Sequence, residues 1–115
     1  MGLFDRLRRR GKKPSRAAVS DDVDHLREWA ETRRGVEAFL EPPTVMTQTT
    51  LMLVAHDGEW TRRRVAGHDA AFKLARKLRI PIYEVAKVGY PQRMRDRQAR
   101  ERALRKRAHR QSLED

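Results

Sequence analysis

Thr49-Thr50-Leu51-Met52-Leu53-Val54-Ala55-His56-Asp57-Gly58-Glu59-Trp60-Thr61-Arg62-Arg63-Arg64-Val65-Ala66, residues 49–66, is the stretch on which the fold turns. From Thr49 to Ala55 the run is apolar on both faces, the pattern of a central strand covered on both sides. Asp57-Gly58 suits the positive dihedrals of a tight hairpin turn, and Trp60 to Ala66 alternates as the partner strand. Trp60, Arg62, Arg64 and Ala66 then share one face of that partner, with Thr61, Arg63 and Val65 on the other. A central strand buried on both sides needs two covering layers, which the rest of the chain has to supply.

Upstream, Val36 to Leu40 reads as a short strand stopped by Pro42 and Pro43. Before it, Ser20 is a good N-cap, with Asp21, Asp22 and Asp24 in the first turn, where the helix dipole favours them. Val23, Leu26, Trp29 and Ala30 follow at helical spacing and Gly35 marks the exit, giving a helix over 21–34. Downstream of Gly67, Asp69 is placed to cap a helix with the apolar stripe Ala71, Leu74, Ala75 and Leu78, which ends before Pro81. Ile80, Ile82, Tyr83, Val85 and Val88 supply a last strand, and Pro91 suits the first position of a further helix. The order α-β-β-β-α-β-α predicts an α/β or α+β domain with a small mixed four-stranded sheet and a projecting basic C-terminal helix.

Charge divides the 115 residues differently from hydropathy. The net charge is +11, but residues 17–92 carry eleven basic and eleven acidic side chains. The excess sits at the ends: residues 1–16 hold seven basic residues against Asp5, and residues 93–110 hold nine against Asp96 and Glu101. The chain therefore divides into a basic N-terminal arm and linker (1–19), a compact domain (20–90) and a basic helical tail (91–115). In the arm, Leu3, Phe4 and Leu7 fall on one side of a possible two-turn helix. Residues 11–18, with Gly11, Lys12, Lys13, Pro14 and Ser15, read as a flexible linker. In the tail, Asp96 to Arg100 and Glu101 to Arg105 are i to i+4 pairs, and the apolar content is too thin to anchor the helix deeply. Most of it should project into solvent, reaching about 30 Å at 1.5 Å per residue.

Residues with catalytic potential do not form a recognisable constellation. His56-Asp57 falls in a turn and His68-Asp69 at a helix start, and with only His25 and His109 beside them no metal-ligand spacing is completed. The glycines make no phosphate-binding loop, the serines no nucleophile elbow, and no cofactor has a visible seat. Glu37, Glu41, Glu59 and Glu84 read as solvated strand carboxylates. Cysteine is absent, which fits a reducing compartment, and Leu3, Phe4 and Leu7 fall short of a signal-peptide core. A cytoplasmic protein is expected.

Clustered Lys and Arg raise the local potential and displace counterions from phosphates, so the arms imply a polyanionic partner. Phosphate contacts are expected from Arg6, Arg8, Arg9, Arg10, Lys12 and Lys13, and from Arg93, Arg95, Arg97, Arg100, Arg102, Arg105, Lys106, Arg107 and Arg110. Trp60, Arg62 and Arg64 form a candidate stacking face. The competing structural reading buries Trp60 in the core and pairs its arginines with Glu59 or Glu84. The Leu3, Phe4, Leu7 face also suits an anionic membrane surface or a groove on a partner protein.

The runs HDGEWTRRRV (His56 to Val65) and VGYPQRMRDR (Val88 to Arg97) resemble those of a family of small basic uncharacterised actinobacterial proteins, over residues 1–97. The resemblance implies a bacterial cytoplasmic protein. Some members carry the genome label oxidoreductase, to which no cofactor motif of this chain corresponds. The expectation is a non-enzymatic, nucleic-acid-associated protein binding structured RNA or a ribonucleoprotein through basic arms. The alternatives are an adaptor docking on a polymerase or membrane-bound complex through its N-terminal segment, and a small oxidoreductase, as the label implies.

Overall fold

The computed structural model describes residues 16–114. Its elements are α1 (Arg16–Glu31), β1 (Glu37–Glu41), β2 (Thr50–Val54), β3 (Trp60–Arg64), α2 (His68–Leu78), β4 (Ile82–Glu84), α3 (Val85–Val88) and α4 (Gln92–Glu114). The four strands form one mixed sheet in the order β3-β2-β1-β4. β1, β2 and β3 are an antiparallel meander, and α2 carries the chain back across the sheet to lay β4 parallel to β1.

β2 is interior in the sheet and covered on both faces, as its unbroken apolar run requires: Leu51, Met52, Leu53 and Val54 are all fully buried. Leu51 and Leu53 join Ala38, Leu40 and Val65 under α1 and α2, which contribute Leu26, Trp29, Ala71, Leu74 and Ala75. On the other face Met52, Val54 and Phe39 are covered by Met94 of α4, with Val85 and Tyr90 at the margin. The first face is broad and the second narrow. Most of the hydrophobic stabilisation therefore lies under α1 and α2.

Several local expectations are corrected. α1 begins at Arg16, so Ser20 is an exposed residue inside the helix and not its cap. Ala17, Ala18 and Val19 do not stop the helix from running upstream of Ser20, and alanine has the strongest helix preference of all residues. Asp69 lies in the first turn of α2, whose N-cap position is Gly67 with no side-chain cap. Ile80 lies outside a shortened last strand, and Val85 to Val88 forms a helical turn closed by Gly89, whose N–H donates to the Val85 carbonyl at 2.8 Å. β4 pairs only with Ala38 to Leu40 although β1 runs on to Glu41, so the strand ends because the chain turns into a helix at Val85. One more helix than expected results.

The hairpin is also one residue longer than a two-residue turn. Gly58 N–H donates to Ala55 O, Ala55 N–H donates to Glu59 O, and Gly58 alone takes a positive φ, 88°. This is the three-residue loop in which a left-handed residue follows a type I turn. Gly58 serves tertiary structure as well, because a Cβ there would lie 2.2 Å from the carbonyl oxygen of Arg93.

Candidate nucleic-acid interface

α4 is a long helix of which only the first turns touch the domain. Met94 is 5% exposed and plugs the second core face. Arg93 reaches the open end of β2, donating from Nε to Ala55 O at 2.9 Å and from Nη2 to Val54 O at 3.3 Å, and it pairs with Glu37 at 2.6 Å. Arg97 pairs with Asp57 in the hairpin turn at 2.9 Å and with Glu101 at 3.1 Å. The Glu59 backbone N–H and, after it, Arg97 hold the Asp57 carboxyl below its ordinary value despite some desolvation. Three successive contacts thus fix the direction in which the helix leaves the sheet.

Beyond that clamp every residue from Ala99 to Glu114 is exposed, as a projecting helix requires. Arg100, Arg102, Arg105, Lys106, Arg107 and Arg110 have no ion-pair partner among the described residues, and neither does Arg95. The expected intrahelical pairs do not form. Asp96 accepts from Gln92, and Glu101 turns back to Arg97, the cation already fixed in place by Asp57. At 100° per residue, Arg95, Arg102 and Lys106 fall along one stripe and Arg100 and Arg107 along another. Cations therefore surround most of the rod.

The domain, by contrast, is balanced in formal charge, with eleven basic and eleven acidic side chains over residues 17–92. The four strand carboxylates expected to be solvated all have cationic partners: Glu37 with Arg93, Glu41 with Arg62, Glu59 with Arg33 and Glu84 with Lys87. Arg63 lies 3.7 Å from Asp22 of α1, behind the sheet. His56 contacts the Arg34 carbonyl. His68 stacks on Phe72 with its Nε2 3.3 Å from Glu84. Among the described residues no three His, Asp or Glu side chains converge as a metal site would need, and no helix is long and apolar enough to cross a membrane.

Trp60, Arg62 and Arg64 do share one face of β3, the face that also carries α4. Trp29 is buried, but Trp60 is 38% exposed, so the reading that buried it is corrected. The Arg62 guanidinium lies 5.1 Å from the Trp60 ring centroid. It is held there by Glu41, which accepts from Arg62 Nε at 2.5 Å and from Nη2 at 2.8 Å. Tyr90 and Thr50 hydroxyls complete the shell of that carboxylate at 2.5 and 2.9 Å. Of the residues expected to contact nucleic acid, Arg93 and Arg97 anchor the helix to the domain and Arg62 pairs with Glu41. The contacts expected of Arg6, Arg8, Arg9, Arg10, Lys12 and Lys13, and of Leu3, Phe4 and Leu7, lie outside the described residues.

Sequence reasoning passed over the Glu41 node. Its members lie at positions 41, 50, 62 and 90, on β1, β2, β3 and the loop before α4, and meet only because the sheet aligns Glu41 with Thr50 and Met52 with Arg62. The one local sign is Glu41 standing last before Pro42-Pro43, at a strand end.

These features define a class: a charge-balanced mixed-sheet α/β domain from which a clamped cationic helix projects. Comparison with known proteins adds nothing to it, since no family model, no curated protein and no solved structure matches the chain.

Proposed function

We propose that this protein binds nucleic acid, structured RNA or a ribonucleoprotein foremost, through the exposed part of α4 together with the basic N-terminal arm. The supporting observation is the exposed run from Ala99 to Glu114, which carries six unpaired cations on a helix whose base is fixed to the domain. A solubilising surface would mix signs, as residues 17–92 do with eleven basic and eleven acidic side chains, whereas the run from Ala99 to Glu114 sets six cations against Glu101 and Glu114. Arg95, Arg100, Arg102, Arg105, Lys106, Arg107 and Arg110 carry the phosphate contacts of α4; Arg93 and Arg97 hold it in position. Among the described residues no pair of helices forms a groove-reading motif, which favours RNA over sequence-specific duplex DNA.

Binding through these side chains releases condensed counterions, so affinity for RNA falls steeply as salt rises. Removing residues 98–115 leaves Arg93, Met94 and Arg97 in place and takes away six cations. The slope of log affinity against log salt then becomes shallower by up to about 4 for single-stranded RNA. An unchanged slope in the truncated protein would exclude α4 from the interface.

A further inference from the structure

A cavity of about 380 Å³ opens beside the Glu41 node, lined by Glu41, Thr44, Thr47, Thr50, Arg62 and Tyr90. Its volume lies within the range of small-molecule sites, and its lining, which also includes Pro42, is mostly apolar with hydroxyl groups set into it. The donors and acceptors it presents follow from the bonds already made. Glu41 takes a hydrogen bond on each side from Arg62, one from Thr50 and one from Tyr90, so its acceptor capacity is filled. Tyr90 and Thr50, having donated their hydrogens to Glu41, keep acceptor lone pairs. Arg62 uses Nε and Nη2 on Glu41, which leaves both hydrogens of Nη1. Thr44 Oγ1 accepts from the N–H groups of Met46 and Thr47, so its own hydrogen goes to Thr47 Oγ1 at 2.7 Å, and the Thr47 hydroxyl is left as a donor.

The site therefore offers acceptors and donors around a compensated Arg–Glu pair, with little net charge. A phosphate gains little there, whereas a neutral planar group with both kinds of edge is matched. Two further observations point to planarity. The fixed guanidinium of Arg62 lies against the half-exposed Trp60 ring, and fixed guanidinium planes and aromatic rings are stacking platforms for unpaired bases. The loop supplying Thr44 and Thr47 carries Val45 and Met46 at its tip, 102% and 84% exposed, although the turn itself is closed by Thr44 N–H donating to Thr47 O. The ordered turn that lines the cavity with Thr44 and Thr47 thus leaves two apolar side chains uncovered next to it in the chain, surface suited to an apolar ring.

We infer that the cavity between Glu41, Thr47, Arg62 and Tyr90 is a subsite for one unpaired nucleobase of a nucleic-acid strand held by α4. The inference rests on the polyanion reading above, because Tyr90 lines the cavity and stands two residues before the first residue of α4, which puts the subsite at the foot of the cationic rod.

The test compares the full chain binding a ten-nucleotide single-stranded RNA with a ten-unit abasic phosphodiester of equal charge. The base-bearing strand should bind about tenfold tighter, the factor that one stacked base supplies. Thr47→Val and Tyr90→Phe should each cut that preference severalfold while leaving the salt slope intact. Thr47 is exposed, so its variant folds even if Tyr90→Phe does not. Equal affinity for the two polymers, or full discrimination in Thr47→Val, would overturn the subsite and leave the polyanion reading standing. Failure of both polymers to bind at low salt would strike the polyanion reading instead. Free adenosine and uridine then decide the cavity: NMR shifts confined to the Thr44, Thr47 and Thr50 methyls support it, and their absence overturns it.

Discussion

Glu41 gathers more polar contacts than any other carboxylate described in the chain. Burial alone would raise its pKa, but the hydrogen bonds from Arg62, Tyr90 and Thr50 together outweigh it and hold the carboxyl below its ordinary 4.5. A group whose folded pKa is depressed contributes stability that is complete above its unfolded value and lost as pH falls through the folded one. Thermal unfolding followed against pH should thus show stability falling below about pH 4.5, and Glu41→Gln should flatten that part of the acid limb. Arg62→Ala should destabilise by about 1.5–3 kcal/mol in chemical denaturation, because the carboxylate loses its charged partner and stays mostly buried. A loss under about 0.5 kcal/mol, the level of an ordinary surface change, would show that Tyr90 and Thr50 suffice without it.

At the level of elements, the contrast between α2 and α4 is instructive. α2 rests on a continuous apolar stripe, whereas α4 is held by Met94 and two arginines at one end. Met94→Ala should cost about 2–5 kcal/mol by leaving a cavity over Met52 and Val54, and hydrogen exchange should report faster amides in the first turns of α4 before those of β2. Unaltered exchange in those turns would mean that Arg93 and Arg97 alone dock the helix. Much of this level was legible in the chain: the doubly apolar run marked β2, alternation assigned the faces of β3, and Gly67 and Pro81 bracketed α2. What escaped were a strand's end and a tertiary contact. β4 gives way to a helical turn at Val85 although β1 runs on to Glu41, and Gly58 also leaves room for the Arg93 carbonyl, a contact that turn propensity does not encode.

For the whole molecule, the partition of charge was visible in composition, because it depends on sums over long segments. The Glu41 node and its cavity were not, since four residues separated by up to 49 positions meet only through sheet register. The clamp was hidden for a related reason: Arg93 and Arg97 look like their basic neighbours until Glu37 and Asp57 are placed beside them. Deleting residues 98–115 should leave the melting temperature within a few degrees of the full chain, about the shift that 1 kcal/mol produces, while most affinity for RNA is lost. A large fall in melting temperature would place part of the fold's stability in the exposed helix.

From Gln92 to Glu114 the sequence contains neither glycine nor proline. A nucleic acid bound as proposed would therefore meet a stiff lever and not a tether. Its footprint would be set by the lever's length, about 24 Å for sixteen residues, and by the angle at which the clamp aims it. Neighbouring molecules on one strand would be kept apart by these bodies, so crowding, and not exhaustion of negative charge, should limit how densely the polymer can be coated.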